Sequence, residues 1–150
     1  MREFNSLAEL KDLIGQEVAH SEWVEISQER VNTFADATGD HQWIHIDVER
    51  AKRESPFGGP IAHGFLTLSL LPMLVANAIK LTYVKMGVNY GLNKVRFPSP
   101  VPVGSKLRAR LKLLEIEDIN DGAQFTWEVT IEREGQDKPV CVAESISRCY

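Results

Sequence analysis

Apolar positions along the chain change their spacing twice, and the changes divide it into helical and strand-like parts. Leu7, Leu10, Leu13 and Ile14 fall on one helical face that Gly15 can close. His20 to Ile26 alternates weakly through Trp23, Val24 and Ile26, as an edge strand does. Ser27 then offers an N-cap, with Glu29 in the first turn and Val31, Phe34, Ala35 and Thr38 on one stripe, and Gly39 ends this second helix. From Ile61 to Ile79 the chain is apolar on nearly every face, which predicts one helix from Gly64 to about Lys80 enclosed by other elements. Pro72 is the local conflict, since it removes a backbone donor and tends to kink a helix. From Tyr83 onward the period shortens to that of strands, over 83–97, 106–119, 123–133 and 139–150, with turns at Asn120-Asp121-Gly122 and Glu134-Gly135-Gln136-Asp137. Helices followed by consecutive antiparallel strands predict an α+β domain in which a curved sheet wraps the apolar helix.

Composition narrows the choice of partners more than the choice of fold. With 150 residues, 43% hydrophobic and 25% charged, one domain spanning 1–150 is expected, and disorder or coiled coil is not. Seventeen basic and 21 acidic residues give a net charge of −4 without a basic cluster, so nucleic acid is not expected as a partner. The N-terminal segment holds Arg2, Glu3, Lys11, Asp12 and Glu17 and no apolar run of signal-peptide length, and Phe65 to Leu81 is interrupted by Thr67, Ser69, Pro72 and Asn77. No membrane association is expected. Cys141 and Cys149 form neither a zinc pattern nor a disulfide framework, which fits a reducing cytoplasm.

Candidate chemistry concentrates in two places. Asp40, His41, His45 and Asp47 crowd the segment after Gly39, where a carboxylate and an imidazole can converge on one water. Alone, the segment reads more readily as structural, with Asp40 capping the next turn and His45 between Ile44 and Ile46 a core histidine bonded to a backbone carbonyl. Two histidines four apart with an acid also suit a metal, but Trp43 and Ile44 between them favour a short buried turn, and no third ligand is fixed by spacing. The second place is Gly58-Gly-Pro-Ile-Ala-His-Gly64, where a glycine at a helix start leaves amide N–H groups open to an oxygen gaining negative charge. Close packing at Gly64, with His63 beside it, is the commoner explanation for an isolated Ala-His-Gly. Taken together, the two segments provide the parts for adding water across a double bond conjugated to a thioester.

Gly39-Asp-His-Gln-Trp-Ile-His-Ile-Asp47, then Phe57-Gly-Gly-Pro-Ile-Ala-His-Gly-Phe65 and Val95-Arg-Phe-Pro-Ser-Pro-Val-Pro-Val-Gly104, resemble the MaoC-like dehydratase family. The Gly-Asp-His-Gln-Trp-Ile-His variant is similar to its nodulation-protein-N branch. The resemblance runs from about Gly15 to the C-terminus. It implies a hot-dog fold and an (R)-specific enoyl-CoA hydratase or dehydratase, cofactor-free and without metal, acting on trans-2-enoyl-CoA as a homodimer. By position, Asp40 and His45 match its catalytic dyad and Gly64 the glycine whose N–H holds the thioester oxygen. Which of Asp40 and His45 is acid and which base stays open. Substrate contacts are expected from Gln42, Trp43, Phe57, His63 and Phe65. Two departures stand out: Gln42-Trp43 replaces an Asn-Pro pair, and Pro72 replaces a serine often found on the central helix. An acyl-CoA thioesterase and a non-catalytic acyl-CoA-binding subunit are the alternative readings on the same fold.

Overall fold

A computed structural model describes residues 1–150. Strand β1 (Arg2–Phe4) leads into α1 (Leu7–Lys11), whose first turn is capped by Ser6. The expected strand over His20 to Ile26 is instead two short ones, β2 (Glu17–His20) and β3 (Val24–Glu25), both antiparallel to one long neighbour. Ser21 separates them: its backbone N–H donates to the Ala109 carbonyl and its hydroxyl accepts the Ala109 N–H, so a side chain replaces part of the ladder.

Helix α2 (Gln28–Thr38) starts and stops as its sequence predicts. Ser27 Oγ accepts the Arg30 N–H at 3.2 Å, and Gly39 closes the helix at φ +80°, a left-handed conformation that favours glycine. Two short helices follow, α3 (Trp43–Ile46) and α4 (Val48–Glu54), with Asp47 Oδ1 capping the second through the Arg50 N–H at 3.1 Å.

The single helix expected from Gly64 to about Lys80 is not formed. Helix α5 (Gly64–Ser69) ends at Leu70, α6 (Leu71–Ala78) restarts at once, and Ile79–Leu81 is a strand, β4, pairing parallel with β1. Pro72 accounts for the break. It has no N–H to give to the carbonyl one turn back, whereas in the first turn of a new helix that donor is not needed. The inner face of the pair packs as expected, with Leu66, Leu70, Leu71, Leu74 and Ala78 buried. Leu74 is fully enclosed, so Leu74→Ala would cost about 2–5 kcal/mol.

The main sheet runs β2-β6-β7-β8-β5, with β3 also on β6, where β5 is Gly87–Arg96, β6 Lys106–Ile119, β7 Gly122–Arg133 and β8 Cys141–Cys149. Alternation on β6 buries Leu107, Ala109, Leu111 and Leu113 toward the helices, and Phe125, Val129 and Ile131 do the same from β7. The β6–β7 hairpin turns through Asn120 and Asp121, and Gly122 is required there because a Cβ would lie 2.1 Å from the Cys149 carbonyl oxygen. Irregular registers at Leu113/Glu115 on β6 and at Asn89/Gly91 on β5 help the sheet to curve. The result is the hot-dog arrangement of sheet around helix, with its helix in two pieces. No helix is long and apolar enough to cross a membrane.

Candidate active site

The segment after Gly39 and the entrance to α5 meet. Asp40, His45 and His63 each offer an oxygen or nitrogen within 4.8 Å of the others. His45 is buried at 6% exposure and Asp40 is exposed, so the pair straddles the protein surface. His45 lies in α3, held by Gln28 from α2, whose Nε2 donates to the His45 backbone carbonyl at 2.8 Å. Its ring Nδ1 sits 2.7 Å from the Ile61 carbonyl. A carbonyl only accepts, so Nδ1 carries the hydrogen and Nε2 keeps its lone pair. Burial pushes the His45 imidazole below its ordinary proton affinity; the Ile61 carbonyl and Asp40 oppose that shift and neighbouring His63 adds to it. Asp40 Oδ1 accepts the Gln42 N–H at 3.3 Å, an Asx-type turn that holds the carboxylate at the start of its loop.

His63 stacks on His45 with ring centroids 3.9 Å apart and planes at 28°, and it packs on Phe34 at 4.9 Å. Its Nε2 lies 3.0 Å from the Asp40 backbone carbonyl. Stacked imidazoles aim their in-plane lone pairs side by side, not at one point. The Asp40 carboxylate and the His45 ring lie close enough together to share one water. The pair His41 and His45, weighed as metal ligands from their spacing, is separated: His41 Nε2 bonds Asp36 Oδ1 at 2.9 Å, and that bond raises its proton affinity. Asp47 is also outside the cluster, spent on capping α4.

Gly64 opens α5, and its N–H has no protein acceptor. Close packing holds as well, since a Cβ on residue 64 would stand 3.1 Å from the Phe97 ring. With α5 only six residues long, the N–H groups of its first turn act locally, and the dipole of a long helix expected behind them is not there. A cleft of about 360 Å³ lies against Gly64, walled by Phe57, Ile61, Ala62, Thr67, Phe97 and Val101 among others.

Of the residues expected to contact substrate, Phe57 alone shares this cleft with Gly64. Trp43 does not reach it; its ring is covered by the Arg50 guanidinium 4.2 Å away. Phe65 is 69% exposed and meets Phe97 edge to face at 6.3 Å. Gln42 is exposed beside Asp40, and His63 is buried behind His45. Sequence reasoning missed Phe97, the Ile61 carbonyl and Gln28. The Val95-Arg-Phe-Pro motif contained Phe97, but its approach to Gly64 is a tertiary contact with no local signature.

A model of the MaoC like domain matches residues 9–134. The chain belongs to this family. Its relatives include 3-hydroxyacyl-thioester dehydratase Z of Mycobacterium tuberculosis (strain H37Rv), 57% identical over 149 residues that span 99% of this chain and 98% of the relative. Nodulation protein N of Rhizobium leguminosarum bv. viciae is 49% identical over 146 residues, covering 95% and 89% of the two chains. The solved structure of the (R)-hydratase from A. caviae involved in PHA biosynthesis superposes with a TM-score of 0.72 over 89% of this chain and 94% of its own at 23% identity, a likeness of fold. Both the MaoC-like assignment and the nodulation-protein-N relationship thus agree with the motifs that first pointed to them.

Proposed function

We propose that this MaoC-like chain is a hydro-lyase of one domain that interconverts a trans-2-enoyl thioester and the (R)-3-hydroxyacyl thioester, with CoA as the carrier. The observation that carries this reading is the Asp40/His45 pair, a carboxylate beside an imidazole whose Nε2 is free. Two atoms up to 4.8 Å apart are bridged by one water with hydrogen bonds of about 2.8 Å at a near-tetrahedral angle. In hydration, Asp40 accepts one water hydrogen and orients the oxygen toward C3, while His45 Nε2 takes the other proton as the C3–O bond forms. The electron pair of the double bond moves toward the thioester carbonyl, whose oxygen gains charge opposite the Gly64 N–H. His45 then returns its proton to C2 on the same face, so water is added and no group is left on the enzyme. Dehydration runs the same steps in reverse. The cleft beside Gly64 provides room for the acyl thioester, with Phe57 and Phe97 as its apolar walls.

A second copy of the chain completes this reading. Strand β5 ends the sheet with Val88, Tyr90 and Leu92 exposed, and Phe65, Ser69, Pro72 and Ala76 make an exposed stripe on the helix pair beside it. An open, apolar edge of this length calls for cover, and a homodimer paired through β5 supplies it. Both cysteines are free thiols, in keeping with a reducing cytoplasm.

Mixing the protein with crotonyl-CoA tests the activity. The absorbance of the conjugated enoyl thioester falls without release of free thiol if water is added; thiol release in step with the absorbance change identifies a thioesterase; no change in either identifies a binding subunit.

A further inference from the structure

His63 is the last residue before α5, yet its side chain makes no capping bond there, so helix initiation does not explain it. It is 2% exposed, with its ring between Phe34 and His45. The 3.0 Å contact from Nε2 to the Asp40 carbonyl places a hydrogen on Nε2. Nδ1 is thereby left as a bare acceptor, and it is buried without any partner. An unpaired buried acceptor is costly, and an apolar ring would fill the same space without that cost. What an apolar ring cannot do is bond the backbone of Asp40.

We propose that His63 is a positioning residue: its ring fixes the plane of the His45 imidazole while its Nε2–H pins the Asp40 carbonyl, so that one side chain sets the separation of the two groups. The proposal rests on the reading of Asp40 and His45 as the proton-handling pair. The His45 ring otherwise faces Asp40 and the Ile61 carbonyl, with Gln28 on its backbone. This role replaces the substrate contact expected for His63 from its place in the motif.

The first test uses the unmodified protein. Nitrogen-15 spectra of the imidazoles near neutral pH are expected to give the Nδ1–H tautomer for His45 and the Nε2–H tautomer for His63; an Nδ1–H tautomer at His63 overturns the proposal, whatever the activity. The second uses two variants measured with crotonyl-CoA. His63→Phe keeps the stacked ring and loses the N–H, and His63→Gln keeps a donor and loses the ring. Each is expected to lower kcat about 10-fold or more with KM within about threefold, since misplacing reacting groups acts on the rate. Wild-type kcat in the folded Gln variant overturns the proposal, as does a raised KM with kcat unchanged, which would make His63 a substrate contact. Should Asp40→Asn and His45→Gln retain full activity, the dyad reading fails, and the tautomer measurement still decides the His63 contact.

Discussion

The Nδ1–H of His45 donates to the carbonyl of Ile61 at 2.7 Å, across 16 residues of sequence. That bond ties α3 to the segment entering α5, and it also fixes the tautomer in which Nε2 is free to accept a proton. The structural role of His45 and its proposed catalytic role are therefore served by one side chain. The structural bond is what makes the other nitrogen available.

Asp40→Asn and His45→Gln are each expected to lower hydration of crotonyl-CoA by at least about 10²-fold with the fold retained, because both keep size and hydrogen-bonding shape and lose proton exchange. Circular dichroism and thermal melts check the fold, and steady-state rates check the chemistry. Since both residues are proposed to act on one water, the double variant should be little worse than either single one. Multiplicative losses would separate their roles.

The pH dependence follows from His45. Its proton affinity is lowered in the folded state, so the native protein binds fewer protons than the unfolded chain as pH falls through the ordinary histidine range of about 6.5. The contribution of this group to stability is fully present above that range and is lost progressively as pH falls below it. Activity that needs neutral His45 should persist below pH of about 6.5 before declining. A kcat/KM profile with its acid limb above that value would contradict the assignment.

Cys141 is wholly buried on β8, and burial pushes its thiol up to about 11. Only the thiolate is strongly nucleophilic, so Cys141 should resist iodoacetamide near neutral pH in the folded protein and react once denaturant is added. Peptide mapping after labelling reads this directly. Rapid native labelling at Cys141 would mean that β8 opens far more readily than its pairing with both β5 and β7 implies.

An aspartate at Leu92 on β5 should dissociate the proposed dimer, since it places a charge on an apolar, exposed edge. Light scattering is expected to move from twice the 16.9 kDa chain mass to that mass itself. A wild-type protein already monomeric at micromolar concentration would remove the basis for this prediction.

Local rules read from the sequence found the Ser27 cap and the Gly39 stop of α2, the alternation of β6 and β7, and the motif holding Asp40, His45 and Gly64, because capping, period and turn chemistry act within a few residues. The same reading marked Pro72 as a conflict but kept one helix, since apolar residues on every face outweighed one missing donor. Tertiary structure settled that differently. Ile79–Leu81 gains a ladder with β1 by leaving the helix, and Pro72 fits the first turn of a second helix at no cost. Spacing also paired His41 with His45, four residues apart, whereas folding turned His41 to Asp36 and brought in His63 from 18 positions further along the chain than His45. Residues close in sequence share a backbone direction; which side chains share a water depends on how separate elements pack, and that is decided by the burial of the whole core.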